Sequence, residues 1–121
     1  MRQLVKVLLD IEPVTWGTND AEKRQAIRRE IRKHIPDFGE EYTAELLRHC
    51  RKIEVELDCY LVNPETKDID NLAKIPLDAL FFSAQNEKGY RTWESKVTSL
   101  LVKKIASSQN RLGIVIRGDE R

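Results

Sequence analysis

The stretch from Lys67 to Leu80 gathers the residues whose types and spacing point most directly to chemistry. Asp68 and Asp70 flank one apolar residue, so in an extended backbone both carboxylates leave the same face. Two such carboxylates repel each other unless a cation lies between them, and Mg²⁺ prefers hard oxygen ligands of this kind. The pattern therefore predicts a metal site. The alternative is that Asp70 or Asn71 caps the first turn of a following helix.

Length and composition predict one globular domain over residues 1–121. Charged residues make up 34% of the chain, and we expect neither a secretory signal nor a membrane-spanning run. Cys50 and Cys59 lack metal-site or disulfide spacing, which indicates two reduced thiols and a cytoplasmic protein. Because the formal net charge is only +1, a nucleic-acid partner would have to bind a local basic surface.

Hydrophobic periodicity predicts an α+β or mixed α/β fold with a four-stranded mixed sheet and about three helices. The expected order is strand, two helices, strand, helix and two strands. We place the strands at 3–11, 53–62, 96–105 and 112–117, with a hairpin connection at 107–110 and a loop at 82–92. We place the helices at 21–35, from Asp37 onward, and after Asn71, where Pro76 implies a late start or a kink.

Two basic groups accompany the predicted helices. Arg24, Arg28 and Arg32 recur every four residues beside the apolar row of Ile27, Ile31 and Ile35. The arginine row either contacts phosphates or forms an ordinary solvated face. A second basic run lies in the last turn expected for the second helix, where cations also favour the helix dipole; it comprises Arg48, His49, Arg51 and Lys52.

The run from Asp68 to Lys74 reads Asp-Ile-Asp-Asn-Leu-Ala-Lys, and Asp-Ala-Leu follows at residues 78–80. It comes just after a predicted strand. This pattern resembles the signature of RusA-type Holliday junction resolvases, Asp-Leu-Asp-Asn-Leu-x-Lys with Asp-Ala-Leu close behind. The similarity covers residues 53–105, and the resemblance implies a RusA-like fold and a Mg²⁺-dependent endonuclease.

Carried onto this chain, the resemblance implies that Asp68 and Asp70 are metal ligands and that Lys74 faces the scissile phosphate. Glu94 maps onto the third acidic ligand, although the family usually has an aspartate in an Asp-Asp pair there. Glu94 is therefore either a ligand or an ordinary acid at a strand edge. The family's basic run before the motif is reduced here to one cation, so the DNA-binding candidates are Lys67, Lys74, Lys88, Arg91 and Lys96.

The same residues have non-catalytic interpretations. Lys74 lies four residues from both Asp70 and Asp78, so it either stabilises charge on a phosphate or forms an ion pair. Asn71 is expected to fix the turn through backbone groups. Asp78 is expected to cap the helix, to form an ion pair with Lys74, or to hydrogen-bond to a metal ligand and so orient it.

The leading expectation is an enzyme that resolves Holliday junctions by paired symmetric cleavage in DNA recombination and repair. The expected cofactor is Mg²⁺, with Mn²⁺ as an alternative, and no small-molecule cofactor or membrane partner is expected. A four-way junction has approximate two-fold symmetry, which fits a homodimer with one site in each subunit. The alternative is a catalytically impaired RusA-like protein that binds DNA or acts in assembly, and a more remote one is a phosphohydrolase for small substrates.

Overall fold

A four-stranded mixed sheet carries the fold in the computed structural model, which describes residues 1–14, 21–34, 50–81 and 97–120. The strands are β1 (Arg2–Leu9), β2 (Cys50–Leu61), β3 (Val97–Ala106) and β4 (Arg111–Glu120). Their order across the sheet is β1-β4-β2-β3. Strand β2 runs parallel to β3 and antiparallel to β4, which in turn pairs antiparallel with β1. The predicted four-stranded mixed sheet in an α+β domain is confirmed.

The predicted hairpin between β3 and β4 is wrong, because β2 lies between these two strands. Residues 107–110 instead pass across the carboxyl end of β2. The Ser107 backbone N–H donates to the Leu61 carbonyl oxygen at 3.0 Å, and the Asn110 side-chain oxygen accepts from the Val62 N–H at 2.9 Å. This short link therefore satisfies the backbone groups that β2 leaves at its end.

Alternation along β2 divides the sheet into two faces, as predicted. Ile53, Val55, Leu57, Cys59 and Leu61 are all buried, and we call their side of the sheet the core face. Strand β4 adds Leu112, Ile114 and Ile116 to the same cluster. The opposite side, which we call the second face, carries Glu54, Glu56, Asp58 and Tyr60.

Two helices add further residues to the described core. Helix α1 (Ala21–His34) buries Ile27 and Ile31, the spacing expected for one apolar face. Helix α2 (Lys74–Phe81) buries Ile75 and Leu80. No helix in the described ranges combines the length and the apolar character needed to cross a membrane.

Pro76 fits helix α2 because the helix begins late, as its sequence predicts. Pro76 is the third helical residue, and the first N–H groups of a helix have no partner within the helix. The first bond that the helix requires runs from the Leu77 N–H to the Ala73 carbonyl oxygen, at 3.0 Å. The absent N–H of Pro76 therefore removes no helical hydrogen bond.

Two other expectations about the elements have different outcomes. Arg51 and Lys52 lie in β2 rather than in the last turn of a helix, because β2 begins at Cys50, three residues earlier than predicted. The helix expected from Asp37 onward, the residues Arg48 and His49, and the loop at 82–92 lie outside the described residues. The third helix therefore stays a prediction.

Candidate functional site

The candidate motif follows β2 as two short 3₁₀ turns and the start of helix α2. The first turn spans Pro64–Thr66 and the second spans Ile69–Leu72. Asp68 precedes the second turn in an extended conformation, with φ −79° and ψ 131°. Asp70 lies inside that turn, so the extended backbone assumed for the pair is wrong from Ile69 onward. The 3₁₀ geometry, rather than strand alternation, sets the relative directions of the two carboxylates.

The second turn is closed through the backbone. The Asn71 N–H donates to the Asp68 carbonyl oxygen at 3.2 Å. Asp68 holds the position before the turn, and its side chain makes no capping hydrogen bond. Neither Asp70 nor Asn71 occupies the capping position expected from the alternative interpretation. The Asp68 carboxylate is therefore not consumed in stabilising the turn.

Burial separates the motif into anchoring and exposed residues. Leu72 and Ala73 are buried against the core, whereas Asp68, Asp70 and Lys74 are exposed. Burying a leucine side chain contributes about 2 kcal/mol, so Leu72 fixes the turn from within. The charged groups are thereby held at the surface of an anchored segment.

A lysine of β3 also holds this segment. The ammonium group of Lys104 donates to the carbonyl oxygens of Pro64, at 3.0 Å, and Lys67, at 2.9 Å. Both acceptors lie in the residues directly before Asp68. Nothing in the sequence predicts this contact, because the donor lies 37 and 40 positions from its acceptors.

Lys67 itself points back toward the chain that follows β1. Its ammonium group lies 3.1 Å from a carboxylate oxygen of Glu12 and also donates to the Pro13 carbonyl oxygen. Only 17% of the Lys67 side chain is exposed. These contacts favour a structural role for Lys67, and its predicted DNA contact stays a prediction.

The two aspartates have the donor chemistry that magnesium requires. Both carboxylates are exposed, and neither forms an ion pair or side-chain hydrogen bond with another described residue. Mg²⁺ commonly binds through one or two carboxylates while it retains several waters. The residues therefore fit a hydrated magnesium ion. No group of three metal-ligating side chains occurs within residues 1–14, 21–34, 50–81 and 97–120.

The remaining predicted site residues are not brought together by the described structure. Glu94, Lys88, Arg91 and Lys96 lie outside the described residues, as does the side chain of Asp78. The assignments of these residues stay predictions. Lys74 is exposed at the first position of helix α2, and Asn71 is partly buried.

A second charged group lies on the second face of the sheet. Arg117 binds the carboxylates of Glu54, at 2.7 Å, and Glu56, at 3.2 Å, and Lys103 lies 3.5 Å from Glu56. Glu56 is only 8% exposed. Strand alternation places these acids on one face, but it does not predict that Glu56 is buried there.

Glu56 and Asp58 have opposite pKa shifts. A hydrogen bond with Asp58, followed by those with Arg117 and the nearby cations, lowers the pKa of Glu56 despite its burial. Burial first, and then the hydrogen bond and negative charge of Glu56, raise the pKa of Asp58. When the pair binds a single proton, that proton is therefore favoured on Asp58 rather than on Glu56.

A cavity of about 370 Å³ also opens on the second face, beside Asp58. Its other lining residues are Lys6, Val7, Leu8, Tyr60, Gly113 and Val115. No residue of the motif lines this cavity. The candidate metal-binding acids and this cavity are therefore separate features of the described structure.

No protein-family model matches the chain, and no curated protein matches it either.

Proposed function

We propose that this protein is a Mg²⁺-dependent endonuclease that cleaves branched DNA, acting on four-way junctions in recombination and repair. The proposal depends on one observation: the motif separates buried anchoring residues from exposed charged residues. Leu72 and Ala73 anchor the segment in the core, while the two aspartates and Lys74 stand exposed beside them. The resemblance of the motif to that of RusA-type resolvases supports the same conclusion.

Asp68 and Asp70 would hold the ion, and Glu94 is the candidate for a third ligand. When bound, Mg²⁺ supplies a water activated at neutral pH and offsets the negative charge of the five-coordinate phosphorus. Lys74 would lie against the scissile phosphate, where its ammonium group offsets charge on a non-bridging or leaving oxygen. In the reaction, a water oxygen bonds to phosphorus, the bond to one bridging oxygen breaks, and that oxygen gains a proton.

Recognition would be mainly of the junction's shape, through its phosphates. Lys88, Arg91 and Lys96 are the proposed phosphate contacts in addition to Lys74. Binding of this kind weakens steeply with salt, because each phosphate contact releases counterions. Two opposed cuts require two sites, which a symmetric dimer supplies. A DNA substrate and two reduced thiols agree with a cytoplasmic location.

The test is cleavage of a synthetic four-way junction by Asp70→Asn. We expect cleavage to fall by roughly a hundredfold to a thousandfold, the scale on which loss of one group that stabilises transition-state charge acts. Junction affinity should be unchanged or slightly tighter, because the substitution removes a negative charge near DNA. The matched control is Asp10→Asn, which removes an exposed carboxylate of the segment after β1.

Retention of full cleavage by Asp70→Asn would overturn the assignment. Junction binding by the wild-type protein without nicking at any Mg²⁺ or Mn²⁺ concentration would favour the impaired binding protein instead. A comparison of the junction with nucleotide substrates tests the third possibility, because a small-substrate phosphohydrolase would release phosphate from nucleotides and leave the junction intact.

A further inference from the structure

Strand β3 lies at one edge of the described sheet, and side chains on both of its faces are exposed. Of its ten residues, seven are exposed: Thr98, Ser99, Leu100, Leu101, Lys103, Lys104 and Ala106. Leu100, on the core face, is 45% exposed, and Leu101, on the second face, is 43% exposed. A long, regular edge strand with exposed leucines is a template for pairing with another strand.

The lysines that would ordinarily protect such an edge are held by their own chain. Lysines block edge-to-edge pairing when their ammonium groups stand at the edge. Here the Lys103 ammonium group lies 3.5 Å from a carboxylate oxygen of Glu56, which belongs to the neighbouring strand β2 and not to the open edge. Lys104 is bound by the carbonyl oxygens of Pro64 and Lys67. The centre of the strand is thus left with Leu100, Leu101 and Val102.

The opposite end of the described sheet is less suited to pairing than β3. Strand β1 has a register shift between Gln3 and Val5, which interrupts a regular edge. It also carries the exposed Lys6 near its centre. The register shift of β3 lies at its first residues, between Val97 and Ser99, and its pairing is regular from Ser99 to Ala106. Of the two described edges, β3 is therefore the better one for pairing.

We infer that two copies of this chain pair antiparallel along β3, with Leu101 opposite Leu101 of the second copy. A two-fold axis perpendicular to a sheet places one residue opposite itself, so all paired residue numbers then sum to twice that number. With the axis at Leu101, Lys103 faces Ser99 and Lys104 faces Thr98. This register therefore keeps the lysines of the two copies from facing each other, whereas an axis at either lysine would oppose like charges.

The sequence of β3 is self-complementary in this arrangement. Leu100 lies opposite Val102, and both residues are on the core face. The occupant is thus a second copy, because the apolar centre and the hydroxyl-bearing Thr98 and Ser99 match the same strand reversed. The result is a continuous eight-stranded sheet, twice the four strands of one chain.

The proposed pairing sets the spacing and the symmetry of the two candidate sites. Lys104 holds the segment before Asp68, and it lies three positions from Leu101. Two Lys104 residues would then be roughly 20 Å apart along the strands, at about 3.3 Å for each residue. Both motif segments would lie on the same side of the joint sheet, related by the two-fold axis. The relation between two candidate sites on one joint sheet rests on the proposed function, whereas the β3 contact itself is tested without DNA.

The experiment is sedimentation of the full chain over a concentration series, without DNA. We expect a dimer for the wild type, and for Leu101→Lys a dissociation constant larger by on the order of tenfold or more, because the introduced ammonium groups face each other. Leu8→Lys is the matched control, since Leu8 is an exposed leucine of β1 on the second face. It should dimerise like the wild type.

A charge-swap mixture tests the register. Leu101→Glu alone should dimerise as weakly as Leu101→Lys, and mixing the two variants should restore the dimer, because opposite charges then meet at the axis. Thermal melts followed by circular dichroism should show all three variants folded, as expected for exposed positions.

A monomeric wild type over the whole series would overturn the inference, as would a Leu101→Lys dimer of wild-type affinity or a mixture that stays monomeric. The two proposals fail separately. A dimer that cleaves no junction contradicts the nuclease alone, whereas a cleaving protein whose dimer survives Leu101→Lys contradicts the β3 contact alone.

Discussion

The ammonium group of Lys104 donates a 2.9 Å hydrogen bond to the backbone carbonyl oxygen of Lys67, the residue directly before Asp68. An edge strand thereby holds the segment that carries the candidate metal ligands. A second bond from Lys104 reaches the Pro64 carbonyl oxygen, at the start of the first 3₁₀ turn. The position of Asp68 thus depends on β3 as well as on the strand that immediately precedes the motif.

Replacing Lys104 with Met should reduce junction cleavage more than it reduces stability. Both hydrogen bonds are exposed, so their loss should lower the free energy of unfolding by about 1 kcal/mol. A small displacement of catalytic groups can lower the turnover rate by roughly tenfold to a hundredfold. Single-turnover cleavage at saturating enzyme separates this effect from binding.

Lys103→Met is the control for Lys104→Met, because it removes a neighbouring cation that contacts Glu56 rather than the motif. Lys104→Arg should recover part of the lost rate, since a guanidinium also donates to carbonyl oxygens. Equal loss of cleavage in Lys103→Met and Lys104→Met would contradict a positioning role for Lys104.

The ion pair between Lys67 and Glu12 should be measurable as a coupling energy. A double-mutant cycle with Lys67→Met and Glu12→Gln should give about 0.5–1 kcal/mol, near the upper end for exposed pairs, because the Lys67 side chain is only 17% exposed. Urea unfolding of the four proteins provides the measurement. A coupling near zero would show that the contact does not stabilise the fold.

The role of Lys67 in DNA binding is distinguished by salt dependence. Loss of one phosphate contact lowers the slope of log affinity against log salt by about 0.9. Because the Lys67 ammonium is bound by Glu12 and Pro13, we expect the slope of Lys67→Met to match that of the wild type. A slope reduced by about one contact would instead restore Lys67 as a DNA ligand.

Asp58→Asn should stabilise the protein increasingly as the pH rises. The folded protein raises the pKa of Asp58 above its ordinary value of 3.8, so folding favours the protonated acid. That contribution is fully present below pH 3.8 and is lost as the pH rises through the raised pKa. The asparagine stays neutral throughout, and its amide can still donate to Glu56. Urea unfolding at a series of pH values is the measurement.

Glu56→Gln provides the contrasting variant, because the pKa of Glu56 is lowered from its ordinary value of 4.5. Its contribution is present above pH 4.5 and is lost as the pH falls through the lowered pKa. The glutamine should therefore destabilise the protein most at neutral pH and least in acid. The same pH trend in both variants would contradict the division of charge within this pair.

Cys59 should resist thiol reagents in the folded protein. It is fully buried, and burial, with the charge of Asp58, raises the pKa of its thiol to about 11. At neutral pH almost no thiolate is available to react. In Cys50→Ala, Cys59 should label only as fast as the protein opens, and labelling should accelerate with urea. Rapid stoichiometric labelling without denaturant would contradict the burial.

Alkaline pH gives a second readout for Cys59. Because its folded pKa exceeds the ordinary value of 9.0, the stability that this thiol contributes is lost as the pH rises from about 9 toward 11. The melting temperature of Cys50→Ala should therefore fall over that range. The additional substitution Cys59→Ala should remove this part of the decline.

Periodicity was sufficient to predict β2 and the buried face of α1. Five apolar residues alternate from Ile53 to Leu61, and Ile27 and Ile31 recur at one helical turn, so local spacing specifies which face is buried. The late start of helix α2 was predictable from Pro76, since only the first turn of a helix tolerates a missing N–H.

Pairing between distant segments was not predictable in the same way. The short connection at 107–110 suggested adjacent strands, but it cannot specify that β2 lies between β3 and β4. No local sequence pattern distinguishes Lys104 from other strand lysines, because the carbonyl oxygens that it binds belong to residues 40 and 37 positions earlier in the chain. The burial of Glu56 likewise depends on its neighbours Lys103 and Arg117, which come from two other strands.

The position of β4 next to β1 also affects how the protein is made. Among the described strands, β1 pairs only with β4, so the first strand to leave the ribosome has no neighbour until the last one has been synthesised. We therefore expect the sheet to be completed only after β4 (Arg111–Glu120) has left the ribosome. Nascent chains that stop before Arg111 should hold an unpaired amino-terminal strand, accessible to chaperones and proteases.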